Sequence, residues 1–301
     1  MNADLYICDK SFIHNGIDAD NDVYKKIFSL KNLVDKVSKE YPTENAFYFK
    51  SDSFLKTPLF SDGTTVEDLI TQKVKKNSEC QYLFNTIFKY FRKCNLDTDG
   101  LKEYLSPDLE DENNCNGLIV LNIIPELPRN TQILSDFAGW LRFRRFFLGK
   151  YPQSPAYFIE ESQKYFKELI LHDDNHSTLK KVIDSHSNQI VIYLGCLNDS
   201  LVSELEANDV EKDFAVFLKK FAIKYNLDGA SFEGSKNDVF NFTFTDKQGH
   251  ELKAYCEPHL KMQKDDSGNT RKYCRIYFRK PNKNEKLIYI GYIGVHIKKK
   301  N

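Results

Sequence analysis

Six side chains in the last part of the sequence could together carry out acid–base chemistry on a phosphate ester. Carboxylate and imidazole groups exchange protons near neutral pH, as general acid–base catalysis requires. Lysine and arginine bind phosphate and stabilise the charge that develops on it, and a phenol can stack on a base. The six residues are Glu257, His259, Lys261, Arg275, Tyr277 and His296.

Their residue types suggest a division of roles in cleavage of RNA without a metal ion. Glu257 or His259 is a candidate base that takes the proton of a ribose 2′-hydroxyl, and His296 is a candidate acid for the leaving 5′-oxygen. Lys261 and Arg275 are candidate phosphate ligands. The sequence therefore predicts a catalytic set that needs neither a metal nor another cofactor.

The elements that must position these residues follow from hydrophobic patterning. An amphipathic helix is predicted over 210–225, and strands over 238–244, 251–259, 273–278 and 286–293. A helix followed by an antiparallel meander is typical of an α+β module.

Strand alternation then predicts which side chains meet. Glu257, His259 and Lys261 should lie on the same face of one strand. Arg275 and Tyr277 should likewise lie on one face of the next strand. A tip of about a dozen residues joins the two strands, so they can pair as antiparallel neighbours. A structural interpretation stays open, in which the acid and the cations pair with one another across a solvated sheet face.

The order Glu257-Pro258-x-x-Lys261, Tyr273-x-Arg275-Ile-Tyr277, an apolar strand and then His296 resembles toxins of the RelE/ParE superfamily, especially the YoeB-like branch. The resemblance covers about residues 209–301. It implies helices packed on a twisted antiparallel sheet, and an endoribonuclease or a gyrase poison of the toxin or phage-defence type. Two features depart from the family: about 200 residues precede the module, and Ile297 follows the histidine where a catalytic tyrosine is expected.

Two further functions are compatible with the same segment. Asp238, a hairpin and Glu251-x-Lys253 resemble the signature of PD-(D/E)xK nucleases, in which carboxylates hold Mg²⁺ and the lysine steadies the attacking water. A subunit without catalytic activity could instead use a basic face to bind nucleic acid or a protein of a larger assembly.

Charge is unevenly distributed along this neutral chain of 43 basic and 43 acidic residues. Thirteen lysines and arginines against five acids fall within 251–301. Such a basic module favours a polyanionic partner, and the ribose chemistry above favours RNA over DNA.

The sequence as a whole predicts an α+β protein with three regions: an α/β domain over 1–125, a mainly helical region over 126–208, and the basic α+β module over 209–301. No glycine-rich phosphate loop follows any predicted strand. Scattered cysteines without a CxxC pair, no secretory signal and no long apolar run predict a cytoplasmic protein that does not enter a membrane.

Two clusters in the middle region are predicted to be structural. His172 and His176 flank an Asp-Asp-Asn stretch that favours a cap over a metal site. Arg142, Arg144 and Arg145 lie beside an apolar helical stripe, where arginines usually pair with acids of a neighbouring element.

Overall fold

The computed structural model divides the chain into two compact units, residues 1–144 and 145–301. The described residues are 1–73, 76–105, 114–125, 130–208, 213–232, 234, 237–245, 249–270, 273–282 and 285–297.

A five-stranded parallel sheet forms the centre of the first unit. Its strands are β1 (Asn2–Ile7), β2 (Asn45–Phe49), β3 (Arg92–Lys93), β4 (Asn114–Ile119) and β5 (Ile133–Leu134), in the order β3-β2-β1-β4-β5. The chain thus builds outwards from β1, first to one edge and then to the other. Doubly wound α/β folds are built in this way.

Helices connect β1 to β2, β2 to β3 and β3 to β4, as is usual for parallel strands. They are α1 (Asp20–Glu40), α2 (Ser51–Leu55), α3 (Val66–Ile70), α4 (Ser78–Tyr90) and α5 (Thr98–Tyr104), and α6 (Phe137–Lys150) follows β5. The boundary between the two units falls within α6.

Close packing explains the glycine in β4. A Cβ atom on Gly117 would lie 2.8 Å from Leu134 Cδ1 and 3.0 Å from both Leu5 and Phe143. Any side chain there would push apart three buried residues. On β1 and β2, the rings of Tyr6 and Tyr48 stack with centroids 4.9 Å apart.

The second unit begins with helices and continues into a mixed sheet. Its helices are α7 (Pro155–Tyr165), α8 (Asn175–Thr178), α9 (Ile183–Cys196), α10 (Val202–Asn208) and α11 (Phe214–Lys224). A π-helical turn over Leu197–Leu201 joins α9 to α10.

Two sheets follow in this unit. The larger one has the order β6-β12-β11-β10-β7, with β6 (Leu169–Leu171), β7 (Ala230–Ser231), β10 (His259–Met262), β11 (Cys274–Phe278) and β12 (Ile288–Gly294). All its pairings are antiparallel except that of β6 with β12. The smaller sheet is a hairpin of β8 (Asn241–Thr245) and β9 (Glu251–Tyr255).

The structure confirms the predicted α+β class, with one parallel and one largely antiparallel sheet. The details differ in two places. The strand predicted over 251–259 is two strands in different sheets, because residues 256–258 leave the first ladder before the second begins. Leu169–Leu171 lies in the region predicted to be mainly helical, yet it forms an edge strand. The apolar segment 189–194, whose pattern is compatible with a helix or a buried strand, is helical.

The predicted boundaries at 125/126 and 208/209 are not those at which the structure divides. Strand β6 lies in the predicted helical region, yet it pairs with β12 of the predicted basic module. Residues 145–301 accordingly form one unit.

Both clusters predicted to be structural have internal partners. Arg144 is buried and donates to Met1 O at 2.8 Å and to Glu44 Oε2 at 3.2 Å. Arg145 donates to Asp199 at 2.6 Å and to Tyr165 O at 2.7 Å.

His172 Nδ1 accepts from the Asp174 backbone N–H at 3.2 Å, as a capping group does. Its Nε2 lies 3.1 Å from Thr243 O.

Within the described part of the chain, no helix has both the length and the apolar character needed to cross a lipid bilayer.

Packing between the hairpin and β12 yields a test of this fold. A Cβ on Gly291 would lie 2.6 Å from Phe242 Cδ2 and 2.9 Å from Cys256 Cβ, both in the buried cluster under the hairpin. We expect Gly291→Ala to lower the free energy of unfolding by about 1–3 kcal/mol in urea denaturation.

Gly195→Ala is the matched control. The new Cβ would lie 4.0 Å from its nearest neighbours, and helical alanine is favoured over glycine, so stability should rise by up to about 1 kcal/mol. Equal effects of the two substitutions would contradict the packing described here.

Candidate functional site

Cross-strand pairing brings four of the predicted residues together on one face of the larger sheet. His259 pairs directly with Tyr277, and Lys261 pairs with Arg275, in the antiparallel ladder of β10 and β11. Directly paired residues project to the same side, with Cβ atoms about 4.5–5.5 Å apart. The predicted antiparallel pairing of these two segments is therefore what the structure has.

His296 joins this group after the end of β12. Its Nδ1 lies 2.8 Å from the Tyr277 hydroxyl and is hydrogen-bonded to Nη1 of Arg275, which also lies 3.3 Å from that hydroxyl. A guanidinium can only donate, so Nδ1 is the acceptor and Nε2 carries the proton. In this arrangement His296 is a neutral imidazole held by an arginine and a tyrosine.

The residue opposite Arg275 on β12 is Gly294. A Cβ at this position would lie 3.0 Å from the ring of Tyr292, which itself pairs with Tyr277. The tyrosine ring thus occupies the space that a side chain at position 294 would need. Sequence analysis did not single out this glycine, which gave no signal beyond its residue type.

His259 lies beneath the surface of the site, with 6% of its area exposed. Its Nδ1 is 3.0 Å from Glu257 O, so Nδ1 carries the proton and Nε2 is an acceptor. The pKa of His259 is lowered to about 4, mainly by burial. The charges of Arg275 and Lys261 act in the same direction, and the hydrogen bond to the Glu257 backbone opposes them. Both cations thus lie within electrostatic range of one neutral imidazole.

Tyr277 is fully buried and stacks on its neighbours. Its ring centroid is 4.6 Å from that of His259 and 5.6 Å from that of Phe240. Burial raises the pKa of Tyr277, while the hydrogen bond from Arg275 opposes this rise. The phenol therefore stays protonated and positions His296.

Glu257 is not on the same strand as His259 and Lys261, contrary to the prediction. It lies in the link between β9 and β10 and is 1% exposed. Its Oε2 accepts from the Gly234 backbone N–H at 3.0 Å. This carboxylate is therefore buried and does not lie on a solvated face of the sheet. Its charge is a minor cause of the raised pKa of Tyr277.

Tyr193 is a structural support that sequence analysis missed. Its hydroxyl donates to Lys261 O at 2.9 Å and accepts from the Asp228 backbone N–H at 2.8 Å. Burial raises the pKa of Tyr193 to about 12, so the donor is retained. The apolar pattern of its segment, 189–194, is compatible with a helix or a strand, so the sequence alone does not give the direction of this side chain.

The strand register separates the residues of the alternative metal site. Glu251 pairs with Thr245, whereas Asp238 precedes Asn241 at the other end of the hairpin. The four strand steps from Asn241 to Thr245 alone span about 13 Å. Asp238 and Glu251 therefore cannot share one Mg²⁺, and within the described ranges no group of three His, Cys, Asp or Glu residues could hold a metal ion.

Lys253 pairs with Thr243 and is exposed. Six of the basic residues counted over 251–301 lie outside the described residues: Arg271, Lys272, Lys283, Lys298, Lys299 and Lys300.

Comparison of the chain with family models, with curated proteins and with solved structures finds no match to any of them. The RelE-like resemblance accordingly rests on the residues quoted for it.

The lowered pKa of His259 predicts how stability depends on pH. Its folded-state pKa lies below the ordinary value of 6.5, so its contribution is fully present above about pH 6.5 and is lost as the pH falls towards 4. Between pH 7 and pH 5 this loss amounts to about 2 kcal/mol.

His259→Leu should remove that component in urea denaturation at pH 5, 6 and 7, with the exposed His176→Gln as control. A leucine variant with the wild-type pH dependence would show that His259 is not the neutral, buried group described.

Proposed function

We propose that the C-terminal unit is a metal-independent endoribonuclease that binds an RNA phosphate at Arg275 and Lys261 and transfers protons through His296. The observation that carries this proposal is the hydrogen-bonded group of Arg275, Tyr277 and His296, with Lys261 directly across the ladder. Two cations beside a histidine suit a reaction in which charge develops on phosphate.

The chemistry is a transfer within the RNA chain. The 2′-oxygen attacks the adjacent phosphorus while its proton passes to Nδ1 of His296. The bond from phosphorus to the 5′-oxygen breaks, and that oxygen takes a proton from the Lys261 ammonium group. The products are a 2′,3′-cyclic phosphate and a 5′-hydroxyl, and exchange with water resets both side chains.

Arg275 links binding to proton transfer. In the structure its guanidinium donates to the nitrogen of His296 that would have to accept the substrate proton. A phosphate oxygen is a better partner for a guanidinium than a neutral imidazole, because the bond is charge-assisted at both ends. Phosphate binding would therefore release Nδ1 as the reaction requires it.

The buried members of the set act as positioning residues in this scheme. Glu257 and His259 are 1% and 6% exposed, so we assign the base to the exposed His296 in place of the predicted Glu257 or His259. The buried Tyr277 hydroxyl keeps His296 beside Arg275.

RNA is the proposed substrate because the nucleophile is a 2′-hydroxyl, which DNA lacks. We further propose that the protein acts in the cytoplasm, where thiols stay reduced. The seven cysteines are free thiols in the structure, which is compatible with that compartment.

A second candidate function is binding of nucleic acid or a protein partner without catalysis. The observation in its favour is the burial of Glu257, His259 and Tyr277, which leaves Arg275, Lys261 and His296 as the accessible groups. A surface of this kind could hold a phosphate without reacting with it.

The catalytic proposal is tested with single-stranded RNA and purified protein. Arg275→Ala and His296→Ala should each lower the cleavage rate about 100-fold or more, because each removes a group that acts in the transition state. EDTA should have no effect, and the product should carry a 2′,3′-cyclic phosphate. The exposed Lys286→Ala in the same unit is the matched control and should cleave normally.

Salt dependence separates catalysis from binding. If phosphates are bound, the logarithm of the RNA association constant should fall linearly with the logarithm of salt concentration, and Arg275→Ala should reduce that slope by about one. Measurable binding with no cleavage in any buffer would favour the non-catalytic subunit. Salt-independent binding, or no binding to RNA or DNA, would remove nucleic acid from both proposals.

A further inference from the structure

A second candidate site lies in the first unit, at the carboxyl ends of its parallel strands. A cavity of about 200 Å³ opens between the segments that follow β1, β2 and β3. In doubly wound sheets, ligands bind outside the carboxyl ends of the strands, near the point where the strand order reverses. Here the order reverses between β1 and β4. The cavity lies next to that point, on the side of β2 and β3, and Asp9 and Lys10 follow β1 into its wall.

The walls of this cavity combine an apolar floor with a charged rim. Ile7, Leu96 and Leu101 supply the apolar part. The rim residues are Asp9, Lys10, Lys50, Ser53, Asp97 and Asp99. Small-molecule sites have this composition, in which a few polar groups fix the orientation of a ligand.

Two of the three carboxylates in the rim have structural tasks. Asp97 caps α5 by accepting from the Gly100 backbone N–H at 2.9 Å. Asp99 pairs with Lys102 at 3.2 Å. Neither is needed to explain a ligand.

Two ammonium groups of the rim keep binding capacity after these partners are assigned. Asp9 accepts from the Ser53 hydroxyl through the more exposed Oδ2, while its Oδ1 is buried with no hydrogen-bond partner. The ammonium groups of Lys10 and Lys50 make no hydrogen bond or ion pair with any residue that the structure describes. Burial raises the pKa of the Asp9 carboxyl, and Ser53 and the charge of Lys50 oppose that rise.

We infer that this cavity binds a sugar phosphate, either free or as the ribose phosphate of a nucleotide. The phosphate satisfies the ammonium groups of Lys10 and Lys50, and a sugar hydroxyl donates to Asp9 Oδ2, beside the Ser53 hydroxyl. The C–H face of the sugar ring packs on the apolar floor. The volume is below the range of about 300–1,000 Å³ found for drug-sized ligands, which suits a compact ligand of this kind.

Calorimetric titration of the full chain tests this site with ribose 5-phosphate and AMP, and with ribose and inorganic phosphate as separate components. We expect ribose 5-phosphate to bind about tenfold or more tightly than inorganic phosphate, and ribose alone to show no binding. If AMP binds about tenfold more tightly than ribose 5-phosphate, the ligand is a nucleotide. If the two affinities are equal, the ligand is a free sugar phosphate.

Substitutions locate the binding. Lys10→Ala and Lys50→Ala should each weaken both phosphate esters about tenfold. Asp9→Ala should weaken ribose 5-phosphate relative to inorganic phosphate, because it removes the acceptor of the sugar hydroxyl and leaves both lysines in place. Lys39→Ala, exposed at the end of α1 and absent from the cavity wall, is the control.

Two results would overturn the inference: no binding of either phosphate ester to the wild-type chain, or wild-type affinity in both lysine variants. The assay contains no RNA, and its variants lie in the first unit. Failure of the ribonuclease proposal would therefore leave this inference intact, and failure of this inference would leave the ribonuclease proposal intact.

Discussion

Between β10 and β11, backbone hydrogen bonds pair His259 with Tyr277 and Lys261 with Arg275, and this register determines which side chains can act together. A shift of one residue in either strand would turn its side chains to the opposite face. One further contact extends this ladder beyond His259, since the Phe278 N–H donates to Pro258 O at 2.9 Å. On the other edge of β10, the Lys261 N–H donates to Gly229 O at 2.8 Å, which ties β10 to the segment before β7.

Beyond β10, a compact turn limits how far the two strands can slide. The Asp265 side chain accepts from the Ser267 and Asn269 backbone N–H groups, and Gly268 adopts the positive φ of 81° that this turn needs. A turn of fixed geometry fixes the pairing of the strands that it joins.

In this group the uncharged rings of His259 and Tyr277 are buried, whereas Lys261 and Arg275 are partly exposed. A buried imidazole next to Arg275 and Lys261 avoids repulsion only while it is neutral, and the pKa of about 4 keeps His259 neutral at physiological pH. The positive charge of the site is thus carried by the side chains that reach solvent. An anion approaching from outside meets those charges first, while the aromatic and imidazole rings below hold them in place.

How far the sequence predicts this molecule depends on the kind of signal each element carries. The strands around Arg275 and Ile290 have strong alternation or continuous apolar runs, so their antiparallel pairing follows from pattern and loop length. Glu257 was placed on a strand because alternation cannot detect that residues 256–258 leave one ladder before the next begins.

Other features depend on contacts between distant residues, which no local pattern contains. The three-residue strand β6 has too short a signal to compete with the amphipathic helix before it. The cavity beside Asp9 forms because β1, β2 and β3 become neighbours, and no local pattern contains that order. The sequence predicts that the arginines of α6 need acceptors, since a buried guanidinium must be hydrogen-bonded. It does not predict which residues supply those acceptors.

The position of β12 between β6 and β11 has a consequence for the order of events during synthesis. Roughly 120 residues separate Leu169 from its partner Ile288, so β6 leaves the ribosome long before the strand that will cover it exists. Until then, the backbone N–H and C=O groups of β6 and β11 that will pair with β12 are open to other chains. Folding of this unit therefore waits for its last strand, and a nascent chain at this stage is a natural client for a chaperone.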